Sequence, residues 1–519
     1  SRFLIQELWC QHYLQFQNSS SDWAFQHNHP QTIQFQSSRD YIMKPATTAA
    51  AKVSVSISDA FDGGNVKFIG TRPNENDPNT TDVLLHIKPD PYTELEKIGH
   101  LQYFSFRSIV GGLGFPPSNK THKVRYVLEN AEASSYPEAW TGTTVFYTTN
   151  IEDSDSWRRN QDTYYSDGQL CWEHEHSQNG SLFFSYFPPY SYSRHLGLVS
   201  RCSQYADTIS LGQSLDGRDI ECITLGKGEM VCWFIHRQHP GETMAEYYAE
   251  GLLTRLLGLD SNGMVDDDVK KLTDLYTFYI VPLMCPDGAV RGHLRTNACG
   301  ANLNREWATK RFYEAPSLER SPEVHGVLKK MDETGVDIFL DIHGDEELPF
   351  NFMNSAAKTP KWGKRMESLH GAFVAAYRRE NSDMQQRIGY PPPETPEDAL
   401  KYMNVATNQV ANRFDCLAMT LEMPFKDCLS NSDPERGWSP ERSRNLGSSV
   451  LSPLEYVHRY LRADGEFWTQ LSPEDAYVET SDDYEAELRG ANDNGFVPLS
   501  KSKRFYSDVH ACHPSNKIQ

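Results

Sequence analysis

The sequence predicts an antiparallel β-sandwich followed by an α/β domain, and two contrasting textures predict it. From 46 to 200, short alternating runs such as Lys52-Val53-Ser54-Val55-Ser56-Ile57 and Val83-Leu84-Leu85-His86-Ile87 lie between Gly, Pro, Asn and Asp turns. That is the pattern of half-buried antiparallel strands. From 201 to 465, apolar runs at 230–235, 278–283, 336–342 and 416–421 alternate with helical stretches, as buried central strands joined by crossover helices do. The 519 residues exceed one ordinary domain of roughly 150, which leaves room for both units and for tails.

Residues 1–45 carry eight Gln among isolated aromatics, without a sustained helical period, and read as a loosely ordered extension. Within the sandwich the closing stretch 183–202 is aromatic and Pro-containing, with Tyr186, Phe187, Tyr190 and Tyr192 in quick succession. Large aromatics bury about 150–250 Å² each, so this passage predicts a fixed interface with the second domain rather than a flexible linker. A rigidly docked sandwich would also border the substrate approach and restrict it to slender, exposed tails. In the α/β part, Met244, Tyr248, Leu252 and Leu256 recur every four residues and give one apolar helical face after the first central strand. Strand, turn and helix repeated in this way put a ligand site at the carboxyl ends of the strands. The tail, 466–519, is acidic through Glu474, Asp475, Glu479, Asp482, Asp483, Glu485 and Glu487, and reads as disordered or as a peripheral wrap.

Composition removes several classes of function. With 70 acidic and 50 basic side chains the net charge is -20, which opposes nucleic acid or an anionic membrane surface as the main partner. No apolar run approaches the roughly 20 residues of a membrane helix. Ten cysteines without a C-x-x-C pair argue against a cysteine zinc knuckle or a dense disulfide framework. The start lacks the features of a signal peptide, so a cytoplasmic location is expected, and the sequons at Asn18, Asn79, Asn119 and Asn179 read as chance.

Chemistry concentrates at three strand ends. His239-Pro240-Gly241-Glu242 follows the run 230–235, and an imidazole and a carboxylate three residues apart can reach one cation across a tight turn. His343 closes the run 336–342 at the same sheet edge, and two His with one Glu leave the fourth position of a tetrahedral zinc open. His236 competes with His239 for the first position. At the third strand end, Glu422 in Thr420-Leu421-Glu422-Met423-Pro424 is placed to act as general base for water. Between these segments run Arg295 and the pair Asn304-Arg305, a planar fork suited to a carboxylate plus a second guanidinium suited to an oxyanion.

Together these segments resemble the zinc metallocarboxypeptidase family. Leu211-Gly212-Gln213-Ser214-Leu215-Asp216-Gly217-Arg218 is similar to its opening segment, and His239-Pro240-Gly241-Glu242, Arg295, Asn304-Arg305, His343 and Glu422 follow in its order. Phe187-Pro188-Pro189-Tyr190-Ser191-Tyr192-Ser193 resembles the motif closing the sandwich in the cytosolic carboxypeptidase-like branch. The resemblance covers roughly 50–465. It implies a mixed-sheet catalytic domain, one zinc ion on His239, Glu242 and His343, Glu422 as base, Arg295 as oxyanion stabiliser, and Asn304 with Arg305 on the substrate's free carboxylate. The substrate-side tyrosine would be Tyr402 or Tyr390. Partners would be peptide or protein C-terminal tails, and the branch implies acidic ends, as in polyglutamylated tubulin, with Arg413 as the candidate cation for the acidic side chain. The net charge would repel long polyglutamate chains without a local basic funnel. Two rivals remain: a zinc deacylase of N-acyl amino acids, which would use the same scaffold and clamp, and, from a different class, a silent peptide-binding protein, which would have no need for Glu422.

Overall fold

Period-two alternation builds ten strands between 54 and 185: β1 (Ser54–Ser58), β2 (Lys67–Pro73), β3 (Thr80–His86), β4 (Ser105–Gly111), β5 (His122–Leu128), β6 (Phe146–Thr148), β7 (Arg158–Arg159), β8 (Tyr164–Ser166), β9 (Gln169–His176) and β10 (Gly180–Ser185). The structure is a computed structural model and describes residues 53–96, 99–113, 121–177, 179–260, 263–308 and 316–466. The Gln-rich extension 1–45 lies outside the described residues, as does the acidic tail beyond 466. Two five-stranded sheets form, in the orders β1-β4-β10-β6-β7 and β2-β3-β5-β9-β8. Their inner faces meet through aromatic rings, with Tyr126 of β5 4.6 Å from Phe184 of β10 and Phe106 of β4 6.1 Å from Trp172 of β9. All pairs are antiparallel except β3 with β5, because the chain crosses to β4 in the opposite sheet between them and returns in the same direction.

The second half builds one seven-stranded mixed sheet from β11 (Asp207–Gln213), β12 (Asp219–Gly226), β13 (Met230–His236), β14 (Tyr276–Val281), β15 (Ile338–Asp345), β16 (Phe352–Ser355) and β17 (Leu417–Pro424), ordered β11-β12-β14-β13-β15-β17-β16. The central four run parallel and the outer pairs antiparallel. The run expected at 278–283 begins earlier, at Tyr276. Those expected to end at 342 and 421 continue, because the β15–β17 ladder extends through His343 opposite Glu422 and Gly344 opposite Met423. Both polar residues therefore sit inside strands and not after them.

The helix Met244–Leu257 spans the expected residues and packs against the helix Pro440–Ser449 backbone to backbone. A Cβ at Gly251 would lie 2.0 Å from the Arg444 carbonyl oxygen, and one at Gly447 2.1 Å from that of Tyr248, so only glycine permits this approach. No helix among the described residues is long and apolar enough to cross a membrane.

The sandwich is seated on this second unit by the aromatic stretch that closes it. Tyr186 stacks on Phe425 at 4.6 Å, and Tyr190 meets Tyr247 edge-on at 4.8 Å. Three successive carbonyls, of Pro188, Pro189 and Tyr190, accept from Thr243 Oγ1, Tyr247 Oη and Arg237 Nη1 at 2.8, 2.8 and 2.9 Å. Ser191 then caps the helix Tyr192–Cys202 by accepting from the Arg194 amide. This helix buries His195 between Glu246 Oε1 at 2.8 Å and Glu221 Oε2 at 3.2 Å.

Burial disfavours the His195 cation, but its hydrogen bonds to Glu221 and Glu246 outweigh that cost and bring its pKa up to about 9. Because the folded value lies above the unfolded one, the stabilisation is complete below about pH 6.5 and is lost as pH rises through 9. His195→Asn should therefore cost on the order of 2 kcal/mol at pH 6 and much less at pH 10. Thermal midpoints of both proteins at the two pH values test this, and equal losses would contradict it.

Candidate metal centre and active site

The turn after β13 is closed by the Glu242 amide donating to the His239 carbonyl at 3.1 Å, which brings the two side chains to one side. His239 Nδ1 lies 2.7 Å from Glu242 Oε1, and His343 Nδ1 lies 2.8 Å from Glu242 Oε2 and 3.1 Å from His239 Nδ1. All three residues are buried. Donors on a tetrahedral zinc at about 2.1 Å stand about 3.4 Å apart, so a slight spreading of these three would seat the ion. Burial and the Arg295 charge hold the His239 pKa down to about 3, which keeps this imidazole neutral. Burial opposes the Glu242 charge, yet the two histidines hold its carboxyl well below the usual range. A neutral imidazole, a second imidazole and an ionised carboxylate fit zinc chemistry.

The outer nitrogens of both histidines are occupied, which aims the Nδ1 atoms inward. His239 Nε2 is 3.1 Å from Asn302 Oδ1. His343 Nε2 makes an ion-pair contact of 2.9 Å with Asp341 Oδ1. The other Asp341 oxygen accepts from Gln238 Nε2 at 2.7 Å, and Gln238 Oε1 accepts from Trp307 Nε1 at 2.9 Å. None of Asn302, Asp341 and Gln238 was singled out from sequence. Asp341 had a readable signal: a carboxylate in the apolar strand Ile338-Phe339-Leu340-Asp341-Ile342 must be paired, and the two-residue period puts it on the His343 face. His236 is not in the cluster. Its Nδ1 is tied to the Val281 carbonyl at 2.9 Å, and its ring lies between Phe234 and Tyr248.

Glu422 stands beside His343 in the parallel register, on the same sheet face. Burial pushes its carboxyl well above the ordinary range. His343 pulls it down, while Glu242 and Asp345 push it further up. Tyr390 donates to Asp345 Oδ2 and packs edge-on against Phe352, which brings it to the Glu422 side. Tyr402 is half-buried near Arg305. Arg305 Nη1 donates to the Asn304 carbonyl at 2.8 Å, the Asn304 side chain accepts from the Ala406 amide at 2.9 Å, and its Nδ2 lies 3.3 Å from His343 Nε2. Arg295 is buried, and its charge bears on both His239 and Glu346.

Arg413 is a correction. It ends the helix Ala406–Phe414 that leads into the start of β17, and its guanidinium forms a two-point ion pair with Asp332 at 2.7 and 2.8 Å. Glu422 lies five residues further along β17, about 16 Å at 3.3 Å per residue, at the opposite sheet edge. An arginine preceding a central strand cannot share the edge at which that strand ends.

The Arg295 loop is held by the sandwich. Asp90, buried, accepts from the amides of Leu294, Arg295 and Thr296 at 2.7, 2.8 and 2.9 Å and from Thr296 Oγ1 at 3.0 Å. Gly300, at φ +79°, lies so close to Tyr92 that a Cβ would come 2.1 Å from its carbonyl oxygen.

Two imidazoles and a carboxylate at the carboxyl edge of parallel strands, with a buried glutamate alongside, define a metallohydrolase-type centre on a mixed α/β sheet. Residues 57–187 match the cytosolic carboxypeptidase N-terminal domain, and residues 193–440 match zinc carboxypeptidase. The chain is 39 % identical over 417 residues to protein ZMO1242 of Zymomonas mobilis, covering 80 % of this chain and 99 % of that one. It is similar to a metallo-carboxypeptidase from Pseudomonas aeruginosa in complex with (2-guanidinoethylmercapto)succinic acid, at 37 % identity and a TM-score of 0.68, covering 78 % of this chain and 100 % of that one. Human cytosolic carboxypeptidase 6 is 26 % identical over 182 residues, 33 % of this chain and 35 % of that relative. The match thus spans about a third of the human protein. The chain belongs to the zinc carboxypeptidase family, in its cytosolic carboxypeptidase-like branch, and is by class a peptide hydrolase.

Removing a carboxylate that orients a metal-binding imidazole typically lowers affinity 10–100-fold. Asp341→Asn should do so for zinc in a chelator competition, with the circular-dichroism spectrum unchanged. Wild-type affinity in that variant would contradict the orienting role of Asp341.

Proposed function

We propose that this protein is a zinc-dependent carboxypeptidase that removes the last residue of peptides or proteins. The observation that carries the reading is the placement of Glu422 beside the His239, Glu242 and His343 cluster, where the Arg295 charge bears on His239 and Asn304 Nδ2 lies 3.3 Å from His343 Nε2. One zinc ion held by those three side chains would supply Lewis acidity for the scissile carbonyl and acidify water. Glu422 takes the proton from the attacking water and later passes it to the leaving amine. Arg295 stabilises the oxyanion, and Asn304 with Arg305 grips the free carboxylate, so that cutting is confined to chain ends. Tyr402, near Arg305, and Tyr390, near Glu422, are the aromatics positioned to meet the substrate.

The ligand of the Pseudomonas relative carries carboxylates, one of which suits such a clamp, and a guanidino group, which lends an acidic preference no support. A preference for acidic ends is supported by the branch resemblance, and Arg413 lends it no support. A cytoplasmic location belongs to the same proposal, supported by the cytosolic relatives.

Glu422→Gln keeps the volume and loses the base. It should retain the zinc content of the wild type and lose at least about 10³-fold in kcat, within the scale of general-base effects. Wild-type turnover in this variant would remove Glu422 from the chemistry. A library of peptides differing only in the last residue should show Glu released faster than Leu or Lys, and equal rates would defeat the acidic preference. Release of acyl groups from N-acyl amino acids without peptide cleavage would favour the deacylase reading.

A further inference from the structure

The chain leaves β13 through a strained residue. Arg237 still pairs with the sheet, its amide donating to the Ile342 carbonyl at 3.2 Å, but its backbone stands at φ +55°, in the left-handed region that a Cβ disfavours. Five non-glycine residues among those described have positive φ: Tyr92, Asp167, Arg237, Lys358 and Asp415. Arg237 alone of these is buried, at 3 % exposure. Glycine would take this backbone without steric cost, so the strain at a buried arginine points to what its side chain does.

The side chain folds back over its own turn. Nε donates to the Pro240 carbonyl at 2.9 Å, and Nη1 donates to the Tyr190 carbonyl at 2.9 Å and to Glu246 Oε2 at 2.7 Å. One planar guanidinium thus joins three elements: the turn between His239 and Glu242, the first turn of the helix Met244–Leu257, and the stretch that closes the sandwich. Pro240 lies in the chain between His239 and Glu242, whose donor atoms stand 2.7 Å apart, so the Nε bond bears on that spacing. Two backbone bonds also act on the turn, from the Glu242 amide to the His239 carbonyl at 3.1 Å and from the Gly241 amide to the Leu294 carbonyl at 2.9 Å. A lysine at 237 would keep a charge for Glu246 but not the planar fork that reaches the two carbonyls as well.

We propose that Arg237 is a positioning residue for the zinc site: its left-handed backbone and its fork on Pro240, Tyr190 and Glu246 set the spacing of His239 and Glu242. Through the Tyr190 carbonyl, the seated sandwich then contributes to zinc affinity. This deepens the zinc carboxypeptidase reading and rests on it.

The test measures zinc affinity of the full chain by chelator competition at pH 7, beside the thermal midpoint of the zinc-free protein. Arg237→Lys keeps the charge, and Arg237→Gly keeps the left-handed backbone. Each should bind zinc about tenfold or more weakly, the scale on which groups that orient metal-binding side chains act. His195→Asn controls for general loosening. It removes an imidazole held 2.8 Å from Glu246 and lowers the thermal midpoint, yet it leaves the Arg237 contacts in place, so its zinc affinity should stay within about twofold of the wild type. Wild-type affinity in Arg237→Lys would overturn the inference because the charge alone would then suffice, and wild-type affinity in Arg237→Gly because the backbone alone would. A loss in His195→Asn equal to that in Arg237→Lys would also overturn it, since affinity would then follow stability. An Arg237→Lys chain that does not fold would assign the arginine to the fold and equally overturn it. A wild type whose zinc affinity depends on Arg237 but which hydrolyses no peptide would sink the carboxypeptidase reading alone, and one that binds no zinc would sink both.

Discussion

The parallel register of β13, β15 and β17 is the constraint on which the catalytic end depends. His236 opposite Ile342 and His343 opposite Glu422 leave no freedom in how the three strand ends present their side chains. A one-residue slip of β17 would turn Glu422 to the other face and bring Leu421 or Met423 against the His239, Glu242 and His343 cluster. The slip is prevented by burial, since every residue of β15 and β17 is buried and both sheet faces are covered. The helix Met244–Leu257 locks the third component. Its close glycine contacts with Pro440–Ser449 hold the turn bearing His239 and Glu242 over the ends of these strands.

A second constraint comes from outside the sheet. The segment carrying Arg295, Asn302, Asn304 and Arg305 contains little regular structure of its own, only a short 3-10 turn at Leu303–Arg305. Its shape is imposed by Asp90 and Glu96 on one side and by the 402–406 loop on the other, through Asn404 Nδ2 to the Arg305 carbonyl at 3.0 Å and the Trp307 amide to the Asn404 carbonyl at 3.1 Å. The sandwich is therefore a structural component of the site. Its own aromatic contacts with Phe425 and Tyr247 place Asp90 correctly, and Asp90 in turn orders three consecutive amides around Arg295.

Much of this was legible in the sequence because strong periodic signals and short chemical motifs survive without tertiary information. The apolar runs marked the four central strands, the four-residue spacing from Met244 marked the helix, and the strand-end His and Glu residues marked the edge where they converge. What could not be read was contact between distant segments. The pairing of Asp90 with residues 204 to 206 positions later has no local pattern, and neither does the anchoring of His239 by Asn302. Arg413 shows the opposite failure. Nearness in sequence to Glu422 suggested nearness in space, but an extended central strand carries the chain across the whole sheet in that interval.

In the proposed function a metal site, a buried base and a guanidinium clamp would act together on a free chain end. Mass spectrometry of one peptide in two forms, with a free C-terminal carboxylate and with the same end amidated, tests it most directly. The zinc-loaded protein should shorten the free form one residue at a time from its C-terminus and leave the amide untouched, because Asn304 and Arg305 then have no carboxylate to hold. Internal cleavage, or equal shortening of the amidated peptide, would contradict it.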